Sequence, residues 1–139
     1  MKQSLVIVKV GGKIVEQPET LERLLKDFKA IPGAKLLVHG GGRSATAMAS
    51  RLGIESKMVD GRRITDADML DVVTMVYGGL VNKNIVAKLQ AQGINAIGLT
   101  GTDCNVMCSD KRPVKDIDYG FVGDVKAVNA EFLSSLIEQ

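Results

Sequence analysis

Leu36-Leu37-Val38-His39-Gly40-Gly41-Gly42-Arg43 joins an apolar strand to three consecutive glycines and then to a helical pattern. Residues without a Cβ leave their amide N–H groups open to solvent, and a helix starting there adds its positive end. The turn therefore suits an anion, above all a phosphate. A second turn of this kind, Val10-Gly11-Gly12-Lys13, follows the apolar run 5–10, which carries Lys9 in its midst. Two strand-to-glycine turns and one lysine point toward phosphoryl-transfer chemistry.

Outward from these turns, the strand-then-helix unit recurs. Pro18-Glu19 opens a helix in which Leu21, Leu24, Leu25 and Phe28 recur at i, i+3, i+4 and i+7. Pro32-Gly33 turns the chain into a strand over 35–39, and Ala45, Met48, Ala49 and Leu52 mark an apolar stripe on the next helix. Thr65-Asp66-Ala67-Asp68 has the form of a capping box, with Met69, Val72, Val73 and Val76 behind it. Gly78-Gly79 is expected to interrupt that helix. Another helix is expected over 80–92, stopped by Gly93, and then a buried strand over 94–99. Between 105 and 128, short runs separated by polar and Pro113 turns predict antiparallel hairpins. Asn129 caps a last helix with Phe132, Leu133, Leu136 and Ile137 facing inward. Strands alternating with helices predict an α/β fold, a three-layer α/β/α sandwich with a mostly parallel open sheet and a β-hairpin region. Its ligand crevice is expected at the C-terminal ends of the strands.

At 139 residues the chain is sized for one domain that buries roughly two-thirds of its unfolded surface. Aromatics make up 4% and Trp is absent, so aliphatic side chains fill the core and base-stacking platforms are lacking. A net charge of +2 without a long run of one sign is too small for the field that nucleic acid or anionic lipid requires. Neither is an expected partner, whereas a small anionic substrate is compatible. Cys104 and Cys108, with a single His in the chain, match no familiar zinc-ligand spacing, so reduced thiols and no metal site are expected. No apolar run reaches the ~18 residues of a membrane span, and the N-terminal run lacks a small-residue cleavage site. A cytoplasmic location is expected.

Each constellation has a competing reading. Lys9 either guards an edge strand against aggregation or points its ammonium into the crevice to neutralise a transferring phosphoryl group. Gly40-x-Gly42-x-x-Ala45 also satisfies the dinucleotide fingerprint, with Asp60 about twenty residues on as a ribose-binding carboxylate. That alternative makes the chain a nicotinamide-dinucleotide-binding domain. Against it, the strand before Asp60 would be only Lys57-Met58-Val59, and Lys9-Val10-Gly11-Gly12 would be left unexplained. Asp60-Gly61-Arg62-Arg63-Ile64-Thr65 places two guanidinium groups beside a turn glycine, where one could grip a carboxylate by parallel hydrogen bonds or merely form surface ion pairs. His39 is read as a hydrogen-bonded structural residue with no proton-transfer role.

Taken in order, these pieces resemble the amino acid kinase family. The resemblance is carried by Val8-Lys9-Val10-Gly11-Gly12, Val38-His39-Gly40-Gly41-Gly42, Asp60-Gly61-Arg62-Arg63-Ile64-Thr65-Asp66, Gly79-Leu80-Val81-Asn82-Lys83 and the glycine-flanked run 93–101. It implies ATP-dependent phosphorylation, with Mg2+ in the complete enzyme, of the side-chain carboxylate of N-acetyl-L-glutamate or another N-acylglutamate. In that scheme Lys9 is catalytic, Gly11, Gly12, Gly41 and Gly42 bind phosphate, and Gly41, Gly42 and Arg63 bind the substrate. The resemblance further implies a longer protein, of which residues 1–139 are the N-terminal substrate-binding part and the C-terminal nucleotide-binding part is absent. This chain alone is then expected to be inactive. A homo-oligomer is implied, with a dimer favoured because no additional N-terminal helix precedes the first strand. A non-catalytic amino-acid-binding module of the same fold is the alternative. Cys104 stands where the family usually has glycine.

Overall fold

In the computed structural model, which describes residues 4–138, the two apolar runs form strands β1 (Val6–Val10) and β2 (Lys35–His39), paired in parallel. Val10 is set beside His39, so both glycine turns leave from the same end of the pair. Val8, Val10 and Leu37 face the core, whereas Ile7 (59% exposed), Lys9 and Val38 (42% exposed) lie on the opposite face. The ammonium of Lys9 therefore stays in water and escapes the cost of burying a charge.

A short helix, α1 (Gly12–Val15), follows the first turn, and α2 (Pro18–Ala30) buries Leu21, Leu25 and Phe28, as the periodicity predicts. Each such side chain contributes about 1.5–3 kcal/mol of burial. Helix α3 (Gly42–Arg51) rises directly from the second turn and buries Ala45 and Ala49, while Leu52, beyond its end, is exposed. Small residues on α3 let the neighbouring helices approach closely. A hairpin, β3 (Met58–Val59) with β4 (Arg62–Arg63), turns through Asp60 and Gly61, both at positive φ. That geometry is the type I′ turn matched to strand twist.

Beyond the hairpin, α4 (Ala67–Val73) is capped by Asp66, whose Oδ1 accepts the Met69 amide at 2.9 Å. The cap is thus one residue later than the capping-box pattern suggests, because Thr65 is engaged elsewhere. Its backbone accepts from Phe121 and donates to Tyr119, tying 65 to the segment around Gly120. Gly78-Gly79 does not interrupt the helix. The chain winds through wider π-helical turns over Thr74–Val81 and continues as α5 (Asn82–Ala91). Gly93, at φ 78°, ends α5, with its amide on Gln90 O and the Ile94 amide on Leu89 O.

The strand expected over 94–99 does not form. Side chains of α5 take its carbonyls instead: Gln90 donates to Ala96 O, Lys83 to Gly98 O and Asn82 to Leu99 O. The segment is extended along the helix with Ile97 69% exposed, not buried. Asp103 then accepts the backbone amide and the hydroxyl of Thr100, which hold its carboxyl below the usual carboxylate range. Cys104, at φ 47°, adopts the left-handed conformation that glycine favours, and both cysteines are exposed free thiols.

Strands β5 (Met107–Lys111) and β6 (Gly123–Val128) form the expected antiparallel hairpin, with a bulge between Cys108 and Ser109. Arg112 and Asp124 pair across its end, which lowers the Asp124 carboxyl pKa. Asn129 caps α6 (Ala130–Ile137) by accepting the Phe132 amide at 3.1 Å, although its apolar residues are half-buried rather than fully enclosed. The core proper lies between α2, α3, α4, the π-helical turns, α5 and one face of the parallel pair. The α/β class, its parallel pair and its hairpins follow the expectation; the 94–99 strand, the break at Gly78-Gly79 and the Thr65 cap do not.

Candidate functional site

Parallel pairing of β1 with β2 fixes where the glycines meet. A Cβ built on Gly12 would lie 3.9 Å from the Gly42 amide nitrogen, so the two turns abut. Gly42 opens α3, a ten-residue helix whose positive end faces the same point. At Gly41 a Cβ would sit 2.9 Å from Cδ1 of Tyr77 and 3.3 Å from Cγ2 of Val81, so a side chain there would displace the tyrosine ring. At Gly11 and Gly40 a Cβ would meet no protein atom within 4 Å, so packing does not demand glycine at either place.

Arg63 reaches the same turn from the β3–β4 hairpin. Its Nη2 donates to Gly42 O at 2.8 Å and to Thr46 Oγ1 at 2.9 Å, and Nη1 donates to Ser56 Oγ at 3.0 Å. Those bonds orient the half-buried guanidinium while leaving donors for a ligand carboxylate. Thr46 and Ser56 escaped the sequence reading; nothing in their local pattern marks a residue that braces an arginine distant in the chain.

His39 is held between two elements. Its Nδ1 lies 2.9 Å from Gly40 O, which can only accept, so the ring proton sits there and Nε2 accepts from Asn82 Nδ2 at 3.0 Å. This is the structural role expected of it. Ser44 on α3 donates to Glu16 Oε1 at 3.3 Å, linking the segments that follow the two turns.

Gly11, Gly12, Gly41, Gly42 and Arg63 are thus brought together at one end of the parallel pair. Lys9 lies two residues before Gly11, level with Val38 on the face opposite His39, and makes no hydrogen bond or ion pair among the described residues. The dinucleotide alternative finds no supporting geometry, since Asp60 occupies an exposed hairpin tip rather than the end of a parallel strand. Among the described residues no group of three or more His, Cys, Asp or Glu side chains could hold a metal ion, and no helix is long and apolar enough to cross a membrane.

A sequence profile described as the amino acid kinase family matches residues 4–139. The chain belongs to the amino acid kinase family. Among curated relatives, this kinase-family chain is 74% identical over its whole length to a protein of Phocaeicola vulgatus named acetylglutamate kinase, covering 54% of it. It is 68% identical to the acetylglutamate kinase of Bacteroides fragilis, covering 53%, and 43% identical over 136 residues to that of Methanopyrus kandleri, covering 52%. The chain therefore spans about half the length of the curated relatives it matches. Among solved structures, one from Streptococcus mutans superposes with a TM-score of 0.76 at 24% identity, covering 96% of this chain and 54% of that one. The N-acetylglutamate synthase of Neisseria gonorrhoeae complexed with coenzyme A and N-acetyl-glutamate gives 0.75 at 20% identity, covering 97% and 31%. At these identities the superpositions show a shared fold and nothing more.

Proposed function

We propose that this chain is the substrate-binding part of an acetylglutamate kinase of arginine biosynthesis, completed by a C-terminal nucleotide-binding part. The reading rests above all on one observation: Arg63 donates to Gly42, so a carboxylate-gripping cation and the phosphate-suited glycine turn belong to one site. In the proposed reaction a side-chain carboxylate oxygen of N-acetyl-L-glutamate attacks the γ-phosphorus of ATP. The new O–P bond forms as the bond to the β–γ bridging oxygen breaks, giving an acyl phosphate and ADP.

The chain's own residues act by position and charge. Arg63 holds the substrate's α-carboxylate. Amides of Gly41 and Gly42, at the positive end of α3, face the acceptor carboxylate and the migrating phosphoryl group, and Gly11 and Gly12 approach that group from the neighbouring turn. Lys9, two residues before Gly11 and on the strand that leads into it, supplies the positive charge that compensates the transition state. Among the described residues no three His, Cys, Asp or Glu side chains cluster to hold a metal ion, and Mg2+ would enter on the phosphates of the nucleotide. A dimer is the proposed assembly.

Two measurements test the reading. Titration of N-acetyl-L-glutamate into the 139-residue chain should shift the amide resonances of Gly41 and Gly42, and Arg63→Ala should abolish the shifts while the spectrum stays folded. ATP added with the substrate should give no acyl phosphate from this chain alone. A hybrid completed with the remaining residues of the Phocaeicola vulgatus relative should form it, and Lys9→Ala should lower its kcat by about 100-fold or more. An inactive hybrid with a binding-competent chain would favour the non-catalytic binding module.

A further inference from the structure

Tyr77 lies on the π-helical turns and is absent from every sequence pattern that marks the site. Its ring lies against the Gly41 backbone: a Cβ on Gly41 would be 2.9 Å from Cδ1 and 3.2 Å from Cε1. Its hydroxyl lies farther along, 3.5 Å from where a Cβ on Gly42 would stand. Tyr77 is 37% exposed, and none of the side-chain hydrogen bonds among the described residues involves its hydroxyl. Val76 (1% exposed) and Val81 (5%) bury the flanks of the same turns and fix the direction in which Tyr77 leaves the helix.

We propose that the Tyr77 hydroxyl donates a hydrogen bond to the oxyanion held at the Gly41–Gly42 turn, making it a further binding group of that site. The inference rests on the reading of this turn as the substrate and phosphate site. A phenol donates one proton, and a hydrogen bond to an ionised oxygen is stronger than one to a neutral acceptor. The hydroxyl and the Arg63 guanidinium both border Gly42, one beside its Cα and the other on its carbonyl. The π-helical geometry explains why this residue is available. Each wider turn shifts the side chains that follow around the helix axis, and such turns gather at functional sites. The oxyanion is a carboxylate or a phosphoryl oxygen, which share this chemistry.

Tyr77→Phe keeps the ring over Gly41 and removes only the hydroxyl. In the 139-residue chain, N-acetyl-L-glutamate and inorganic phosphate are titrated separately into wild type and variant, following the Gly41 and Gly42 amides and the Tyr77 ring carbon that bears oxygen. The expected result is a ligand-dependent shift of that carbon in wild type, and a Kd raised about tenfold in Tyr77→Phe for one of the two probes. The affected probe identifies the oxyanion. An unmoved Tyr77 carbon in wild type, or Kd values in Tyr77→Phe unchanged from wild type for both probes, overturns the inference and leaves the site reading standing. Absence of any shift at Gly41 and Gly42 in wild type overturns both together.

Discussion

Asn82 Nδ2 lies 3.0 Å from His39 Nε2, so a residue of α5 fixes the ring from which the glycine turn departs. The same amide donates to Leu99 O at 3.3 Å, and Asn82 is only 6% exposed. One side chain thereby joins β2, α5 and the extended segment that follows α5. Asn82→Ala leaves two half-buried acceptors without their donor and is expected to lower stability by about 1 kcal/mol, measured as a fall in the urea midpoint at constant slope.

Arg63→Lys tests the planar fork separately from the charge. A lysine keeps the cation but cannot serve Gly42, Thr46 and Ser56 together while gripping a carboxylate. Affinity for N-acetyl-L-glutamate should fall about tenfold or more, with a stability loss of about 1 kcal/mol. Calorimetric titration and thermal unfolding of one preparation separate the two effects.

Gly41 and Gly11 should respond in opposite ways to an added methyl group. Gly41→Ala drives a Cβ to 2.9 Å from Tyr77 and should destabilise the fold by about 1–3 kcal/mol. Gly11 has φ −71° and ψ 153°, which alanine adopts freely, and no protein atom lies within 4 Å of the new Cβ. Gly11→Ala should therefore hold or raise stability by up to about 1 kcal/mol, yet reduce acyl-phosphate formation in the completed enzyme. Unchanged activity in Gly11→Ala would remove that turn from the phosphate site.

Acid should loosen the turn after α5 later than simple aspartate titration suggests. The Thr100 backbone amide and hydroxyl hold the Asp103 carboxyl below the usual range. Its contribution is fully present above the unfolded pKa and is lost as pH falls through the lower folded value. The Thr100 amide resonance, followed downward from about pH 5, should therefore move with a midpoint below the ordinary aspartate pKa of about 3.9. Asp103→Asn should flatten that titration.

Much of the local structure was legible in the order of the residues. The stripe Leu21, Leu24, Leu25 and Phe28 specifies a helix with one buried face, and Gly93 and Asn129 end and begin helices through their own backbone and side-chain chemistry. These are interactions over a few residues, which periodicity and caps encode directly. The segment 94–99 misled because an apolar run with strand character is ambiguous until its hydrogen-bond partners are known. Here the donors are Asn82, Lys83 and Gln90, side chains of the preceding helix.

The sequence by itself determined which residue types are chemically suited to an anion: bare glycine amides after β1 and β2, a lysine within β1, and an arginine after a tight turn. Tertiary structure alone decided which of them meet. The Val10–His39 register placed the two turns side by side, the hairpin folded Arg63 onto Gly42, and the π-helical turns brought Tyr77 over Gly41. Pairings of this kind join residues far apart in the chain, and their geometry depends on strand register and helix winding, which no short pattern carries.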